Sequence, residues 1–369
     1  MAACAVIAWL PDSPLQPTHG GRTHGQGALG ILFVGLLASA FACYLGGLWA
    51  VRRGARFTVV FALACAIQLA PLGAPLLISS DAWTYWSYAR LHDPYRQTPS
   101  DDPVSSPHAG AAYLHTTSAY GPAFSLLSKP AALVDSPDLA AWIFKSAAAL
   151  SVLAATWLVA RRRAFAAALV GWNPVVAVHF GGGGHNDALM IALLAAALAL
   201  GEAGRVQAAG AAWSLGALVK WVPLVVLPLR ALEARATGRR VGHMGFALTT
   251  IGTLGLATVL WRFHWLHALG PLAHDATRQT SYALPHRTRL SPWFFAVAYG
   301  VAYVWLLREA IRGRARSGLA LALLLVSLPY LAAWYVLWPL ALSARDDDRA
   351  AIAITLALCA YLLPQRIPV

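Results

Sequence analysis

Residues 28–51, ALGILFVGLLASAFACYLGGLWAV, form a long run without a charged side chain. At 1.5 Å per residue, a helix of this length covers the ~30 Å hydrocarbon core of a bilayer. Basic residues follow at once, at Arg52, Arg53 and Arg56. An apolar helix with a basic boundary is typical of a membrane-spanning segment.

The composition of the whole chain points the same way. Of 369 residues, 59% are hydrophobic and 12% are charged, against roughly a quarter charged in an ordinary soluble domain. This balance excludes a soluble globular protein and a disordered one. The four cysteines are too few and too scattered for a disulfide framework or a metal knuckle. Residues 1–10 lack a basic start and a small-residue cleavage site, so no cleavable signal peptide is expected.

Apolar segments recur along the chain, at 28–51, 57–78, 138–160, 164–180, 185–201, 207–219, 221–232, 243–261, 290–308, 317–330, 331–343 and 349–363. They predict an all-α, polytopic integral membrane helix bundle with about 10–12 transmembrane segments. The pairs 207–232 and 317–343 leave a choice between a single helix and a broken pair. We favour a break in each, near Pro223 and Pro329.

Basic residues are grouped between these segments. If each segment crosses once, six arginine clusters share one side and hold 17 of the 28 Lys and Arg residues. The positive-inside rule then places the clusters in the cytoplasm and both termini outside. The net charge of +13 therefore reflects topology, and no nucleic acid partner is expected. Two long loops, 79–137 and 262–289, lie outside.

The first outer loop begins with SSDAWTYWSYARLHDPY at residues 79–95. Helical spacing places Asp81, Tyr85 and Tyr88 on one face, with Asp81 at the boundary between water and lipid. Two interpretations of this stretch are open: a carboxylate that acts on a substrate, and a purely structural role. In the latter, Asp81 caps the helix, the aromatic residues form an interfacial belt and Arg90 binds a lipid phosphate.

Four glycines precede His185-Asn186-Asp187 at the start of an apolar segment. Glycines let the backbone approach a ligand, and amides at a helix N-terminus can bind phosphate or sugar oxygens. A tight hairpin capped by Asn186 or Asp187 is the alternative. No Lys-Ser/Thr follows, so the loop is not a Walker A motif. His185 and Asp187 have no third partner in sequence that would indicate a metal site.

Lys220 lies within an apolar stretch, directly before the predicted break. A charge at membrane depth is costly and indicates function, with an anionic headgroup or an outer-face carboxylate as its partner. Snorkelling to the interface is the alternative. Aromatic residues at Tyr330, Trp334, Tyr335 and Trp338 recur at helical spacing and suit core packing, an isoprenoid-binding wall or a sugar-stacking surface.

Together these pieces resemble the GT-C superfamily of membrane glycosyltransferases, and glycosyltransferase family 87 with the polyprenol-phosphate-mannose-dependent alpha-(1→6)-mannosyltransferases in particular. The similarity covers most of residues 75–345. It is carried by the following motifs: Asp81 with Tyr85 and Tyr88, Asp93-Pro94-Tyr95, Ser118 to Pro122, Trp172-Asn173-Pro174, Gly-His185-Asn186-Asp187, Lys220-Trp-Val-Pro223 and Trp334-Tyr335.

The resemblance implies a single transmembrane glycosyltransferase domain over 1–369, with interfacial helices in the loop 79–137. It implies a polyprenyl-phosphate-linked sugar donor, a glycan or lipoglycan acceptor, and inverting transfer on the outer face with Asp81 as catalytic base. The residues expected to bind substrate are Tyr85, Arg90, Asp93, Tyr95, Tyr120, His185, Asn186, Asp187, Lys220, Trp334 and Tyr335. No cofactor or metal ligand is expected, although some members of the superfamily use a divalent ion.

The chemistry is consistent with this expectation. A carboxylate takes the proton of the acceptor hydroxyl, while the phosphate leaving group requires a cation instead of a general acid. Candidate cations are Arg90, Lys220 and the arginines of the second loop, at 278, 287 and 289. Asp93, Asp101 and Asp102 are alternative bases. A transporter or flippase is the rival function, but short, arginine-rich cytoplasmic loops favour the enzyme.

Overall fold

The computed structural model describes residues 1–17 and 27–367, apart from the side chains of residues 275 and 276. These ranges contain helices and no strand. The α-helices follow the chain as α1 (Ala2–Trp9), α2 (Gly27–Val51), α3 (Phe57–Leu69), α4 (Asp81–Arg90), α5 (Pro122–Ser128), α6 (Pro137–Ala160), α7 (Ala164–Gly171), α8 (Pro174–Ala177), α9 (Asp187–Glu202), α10 (Val206–Val219), α11 (Pro223–Ala236), α12 (His243–Trp261), α13 (Leu269–Thr277), α14 (Leu284–Thr288), α15 (Pro292–Ile311), α16 (Ser317–Ser327), α17 (Leu337–Asp346) and α18 (Arg349–Leu362).

Helix starts follow local sequence signals. At α6, the Ser136 side chain accepts a hydrogen bond from the Leu139 N–H, and Pro137 occupies the first helical position. At α15, Ser291 accepts a hydrogen bond from the Trp293 N–H, again with proline next. Serine satisfies an N–H that the first turn leaves open, and proline has no N–H to lose there.

The predicted membrane helix bundle is confirmed. In the described ranges, four helices are long and apolar enough to cross a bilayer: α2, α6, α12 with its continuation to His274, and α15. The pair α7 and α8, bent by 49°, brings the number to five if it acts as one span. Each of the other predicted segments contains a shorter helix. The number of crossings, ten to twelve, stays a prediction.

The core forms around α6, α9 and α17. Helix α9 packs between α6 and α10, while α17 contacts α6, α7 and α9. By contrast, only 11% of the apolar window of α12 and its continuation and 17% of that of α15 are buried. Because apolar surface is stable in lipid, this pattern suits helices on the outside of a membrane bundle.

Both expected breaks are confirmed. Helix α10 ends at Val219, Lys220 is extended with φ −155° and ψ 145°, and Pro223 starts α11. Helix α16 ends at Ser327, and a 3₁₀ turn over Ala333–Val336 leads into α17. These breaks lie at the same end of the bundle as the start of α9, because residues at both breaks contact His185 or Asp187 there.

Ion pairs gather at the other end. Glu202, at the end of α9, pairs with Arg161 at 3.0 Å and with Arg345 at 2.5 Å. Arg230 and Asp346 form another pair at 2.6 Å. Three of the predicted cytoplasmic clusters therefore meet about one helix length from the start of α9.

Candidate active site

Asp81 and His185 lie together, in agreement with the family resemblance, which assigns both residues to substrate. Asp81 is the first residue of α4, and its Oδ2 is 3.1 Å from His185 Nδ1. The two atoms do not meet the geometry of a hydrogen bond, and the contact is an ion pair only when the imidazole is protonated. In the described structure, neither Asp81 nor Ser80 makes a side-chain cap on α4. The capping interpretation of Asp81 is therefore wrong.

The environment of Asp81 keeps its carboxylate ionised. Burial by itself raises the pKa of Asp81. The nearby His185 ring, the Arg366 charge and the Ser79 hydroxyl lower it by a larger amount, so that the pKa falls from its ordinary 3.8 to about 2. The side chain is only 12% exposed. Asp81 therefore presents a partly desolvated negative charge at neutral pH.

The glycine run positions His185. A π-helical turn covers Val178–Gly182, and Gly184 adopts φ +72°, which an L side chain rarely adopts. A Cβ on Gly181 would lie 2.5 Å from the Gln68 carbonyl oxygen. The backbone therefore passes where no larger residue fits, and it places the His185 ring flat against Trp334, with centroids 3.7 Å apart.

Asp187 connects three distant segments. Its Oδ1 accepts hydrogen bonds from Lys220 Nζ and Trp338 Nε1, both at 2.7 Å. Lys220 Nζ also lies 4.8 Å from the ring centroid of Tyr335. The predicted carboxylate partner of Lys220 is thus Asp187. This pair gives Lys220 a positioning role, since the extended residue at the helix break reaches inward to the start of α9.

Tyr85 and Tyr120 form the aromatic side of the site. Their ring centroids are 5.1 Å apart. Gly121 allows this arrangement, because a Cβ there would lie 2.0 Å from the Leu218 carbonyl oxygen at the end of α10. Burial raises the pKa of Tyr85, and the charges of Asp81 and Asp187 raise it further. Both carboxylates therefore lie close enough to the Tyr85 hydroxyl to affect its pKa, so Asp81, Asp187 and Tyr85 belong to one site.

Several buried polar atoms at this centre have no hydrogen-bond partner within the described protein. They are Asn186 Oδ1 and Nδ2, Asp187 Oδ2 and His185 Nε2. Asn186 is the N-cap residue of α9, as one interpretation of the sequence predicted, but its side chain makes no capping hydrogen bond there. Buried polar groups are nearly always paired in native proteins. A cluster of unpaired ones indicates a place where a polar ligand binds.

Arg90 lies elsewhere in the outer loop. Its Nε is 2.7 Å from Asp102 Oδ2, and its Nη1 is 2.8 Å from Asp135 Oδ1. These two ion pairs connect the end of α4 to the surrounding loop. The predicted binding role of Arg90 therefore has no support from its contacts.

Asp93 and Tyr95 also make contacts away from Asp81. Asp93 Oδ2 is 2.6 Å from His264 Nδ1, which joins the two outer loops. The Tyr95 hydroxyl lies 2.8 Å from Ser125 Oγ and 3.1 Å from the Tyr120 carbonyl oxygen. Both residues support the loop behind Tyr120, and their direct contact with substrate stays a prediction.

Arg366 was missed by the sequence analysis. Its guanidinium lies 4.6 Å from the Trp334 ring centroid, 3.5 Å from Ser79 Oγ and 3.5 Å from the Tyr330 hydroxyl. The only signal in the sequence was its place just after the last apolar segment, on the predicted outer side. A single arginine near the end of a chain does not by itself indicate a site.

Metal ligands do not converge here. Among residues 1–17 and 27–367, no three His, Cys, Asp or Glu side chains come close enough to hold a metal ion. Asp81 and His185 form a two-residue pair, and Asp187 is bound to Lys220.

A cavity of about 330 Å³ lies at the other end of the bundle, around residues 197–246. The site is identified by its unpaired groups and charges and not by cavity size.

Comparisons with known proteins identify the family of this chain. A family model described as "Alpha-(1->6)-mannopyranosyltransferase, N-terminal domain" matches residues 2–235. A second model, "Glycosyltransferase family 87", matches residues 119–364. The chain belongs to glycosyltransferase family 87. The resemblance stated from the sequence is thereby confirmed, and membership favours an enzyme over a transporter or flippase.

One curated relative of this glycosyltransferase is "Alpha-(1->6)-mannopyranosyltransferase A" from Mycobacterium tuberculosis (strain ATCC 25618 / H37Rv). The two are 26% identical over 352 residues, which is 79% of this chain and 67% of the relative. No solved structure matches the chain. The first family model includes Asp81, the corner 185–187 and Lys220, while the second includes the corner, Lys220 and Trp334.

Proposed function

We propose that this glycosyltransferase transfers a mannosyl group from a polyprenyl-phosphate donor to a hydroxyl of a glycan or lipoglycan. Asp81 is the base, and the reaction takes place on the non-cytoplasmic face of a bacterial-type plasma membrane. The observation that carries the proposal is the ionised Asp81 carboxylate, 3.1 Å from His185 and beside unpaired atoms of Asn186 and Asp187. The name of the relative supports mannose as the sugar.

The reaction is a single displacement. The acceptor oxygen attacks the anomeric carbon and gives its proton to Asp81, while the bond to the phosphate oxygen breaks and its electron pair leaves with the polyprenyl phosphate. One displacement inverts the anomeric centre. A carboxylate with a pKa of about 2 is a weak base, so the proton moves late, when bond formation has made the hydroxyl strongly acidic.

Sugar binding is assigned to the unpaired groups of the corner. Asn186 offers both a donor and an acceptor, and Asp187 Oδ2 offers an acceptor. Lys220 and Trp338 hold the other oxygen of Asp187, so the free oxygen keeps a fixed direction. The stacked Tyr335 and Trp338 rings, with centroids 4.1 Å apart, form an apolar wall nearby. Fixed polar groups with an apolar wall are typical of ligand sites.

The outer face is supported by charge. Asp81 lies at the end of the bundle opposite the ion pairs of Glu202, Arg230 and Arg345, which belong to the predicted cytoplasmic clusters. The positive-inside rule assigns such clusters to the cytoplasm.

The test is sugar transfer by reconstituted protein, with radiolabelled polyprenyl phosphomannose and a panel of glycan acceptors. Asp81→Asn should lower turnover by about 10²- to 10⁴-fold, the usual contribution of a general base. Asp138→Asn is the matched control, because this exposed carboxylate lies at the outer end of α6. Asp93→Asn, Asp101→Asn and Asp102→Asn test the alternative bases. Full turnover by Asp81→Asn would refute the assignment.

A further inference from the structure

The cations at the outer end of the bundle differ in their partners. Arg90 is paired with two aspartates, and Lys220 is paired with Asp187. Arg366 forms no ion pair within the described part of the chain, and it is exposed. Of these three cations, Arg366 is the one whose charge no carboxylate neutralises in the described structure.

Arg366 shares a wall with the base. Its guanidinium stacks on Trp334, Trp334 stacks on His185, and His185 contacts Asp81. The charge of Arg366 is one of the causes that lower the pKa of Asp81. Arg366 is therefore close enough to act electrostatically on the atom that receives the proton.

The backbone holds Arg366 in this place. Its φ of +64° lies in the left-handed region, which is unfavourable for an L residue. The preceding Gln365 is buried and donates from Nε2 to the Leu331 carbonyl oxygen at 2.8 Å. Strained residues persist only where surrounding contacts impose them, and they cluster at functional sites.

We propose that Arg366 binds the phosphate of the polyprenyl donor, and this inference rests on the proposed function. When the anomeric bond breaks, the phosphate changes from a singly charged diester to a doubly charged monoester. A guanidinium can bind two of its oxygens at once and stabilise the added charge. Arg278, whose guanidinium lies 5.8 Å from the Tyr330 ring centroid, approaches the same place from the second outer loop.

The experiment compares two inhibitors of sugar transfer, polyprenyl phosphate and the uncharged polyprenol of the same length. Wild-type protein should prefer the phosphate, and Arg366→Gln should lose at least ten-fold of that preference and raise the KM for the donor. Arg366→Lys should recover part of both. The control is Arg96→Gln, an exposed arginine of the first outer loop. Should Arg366→Gln fail to fold, Arg366→Met preserves packing on Trp334 and is measured in the same way.

The outcomes separate the two proposals. Unchanged preference in Arg366→Gln, with transfer still dependent on Asp81, overturns the phosphate role and leaves the function standing. Absence of transfer by wild-type protein from every polyprenyl phosphosugar overturns the function itself.

The cavity at the opposite end carries a second, independent inference. It measures about 330 Å³ and lies between the ends of α9 and α11 and the starts of α10 and α12. Its walls are mostly apolar, with Leu198, Trp213 and Phe246 among them. Four arginines also line it, at positions 230, 239, 240 and 345, together with Glu202 and Glu233.

Positive charge exceeds negative charge in this cavity. Glu202 pairs with Arg345, and Glu233 pairs with Arg230, whereas Arg239 and Arg240 are exposed and in no ion pair among the described residues. Arg345 has a side chain only 4% exposed, and its Nη1 has no partner in the described protein. We infer that the cavity binds an anionic phospholipid, with the headgroup phosphate on the arginines and an acyl chain along the apolar walls.

Thermal unfolding of the purified protein in detergent tests this inference. Added phosphatidylglycerol should raise the Tm, whereas phosphatidylcholine and inorganic phosphate should not. The double variant Arg239→Gln/Arg240→Gln should lose the shift, and Arg52→Gln/Arg53→Gln, a matched basic pair at another helix end, should keep it. Equal shifts from both lipids, an equal shift from phosphate, or a shift retained by the first double variant would each overturn the lipid site.

Discussion

Replacing Lys220 with methionine tests how the buried carboxylate of Asp187 is stabilised. Asp187 has a side chain 1% exposed, and its Oδ1 is held by Lys220 and Trp338. Methionine leaves the negative charge with only the indole N–H. Removing one partner of a buried ion pair costs about 3–5 kcal/mol, and we expect Lys220→Met to lower the free energy of unfolding by this amount.

The reverse change should cost less. In Asp187→Asn, the amide oxygen still accepts from Trp338, and Lys220, which is 15% exposed, can turn toward solvent. The loss should be about 1.5–3 kcal/mol, the usual contribution of a hydrogen bond to a charged group. In the double variant Lys220→Met/Asp187→Asn no unpaired charge remains. It should therefore be more stable than Lys220→Met alone by about 2 kcal/mol.

The assay is reversible unfolding in mixed micelles with increasing SDS, followed by tryptophan fluorescence and far-UV circular dichroism. Asp138→Asn serves as a control for loss of an exposed carboxylate. If the double variant is destabilised by the sum of the single losses, the two residues are not coupled. The proposed positioning of Asp187 by Lys220 would then be wrong.

Three further results are expected. Because folding lowers the pKa of Asp81 to about 2 from an ordinary 3.8, its carboxylate stabilises the fold above its ordinary pKa by about 2 kcal/mol. This stabilisation is lost as pH falls from about 5 to about 2, and pH-dependent unfolding of Asp81→Asn should lack that part. Trp334→Ala should lower kcat/KM by up to about ten-fold through loss of stacking on His185, and Trp334→Phe should lower it less. Arg90→Gln should reduce the free energy of unfolding by about 2 kcal/mol, while a loss confined to donor KM would instead support a binding role.

Local patterns were sufficient to predict the helices and the breaks. Apolar runs gave every major segment, and Lys220 before Pro223 marked an actual interruption. The approach of Asp81 to the Gly-rich corner also followed, because both were assigned to the same side of the membrane. These predictions depend on the apolar runs and on the distribution of basic residues, and both can be read from a single sequence.

Pairings across the bundle were beyond the sequence. Trp338 donates a hydrogen bond to Asp187, 151 positions earlier in the chain. From the sequence, core packing was one of the roles that suited Trp338, because several nearby residues are aromatic. Arg90 looked like a phosphate ligand, but the loop around it contains several aspartates, and only packing decides which of them it contacts. Arg366 carries no motif at all. Its place beside Trp334 depends on how the last helix docks.

The contact of Asp187 with Lys220 and Trp338 has a consequence for biogenesis. Translation produces α9 and Lys220 long before α17, so the carboxylate and the ammonium are present while the indole that completes their arrangement is still unsynthesised. Completion of this contact must therefore wait for the C-terminal helices. During that interval, association of Asp187 with Lys220 is the contact that can already form.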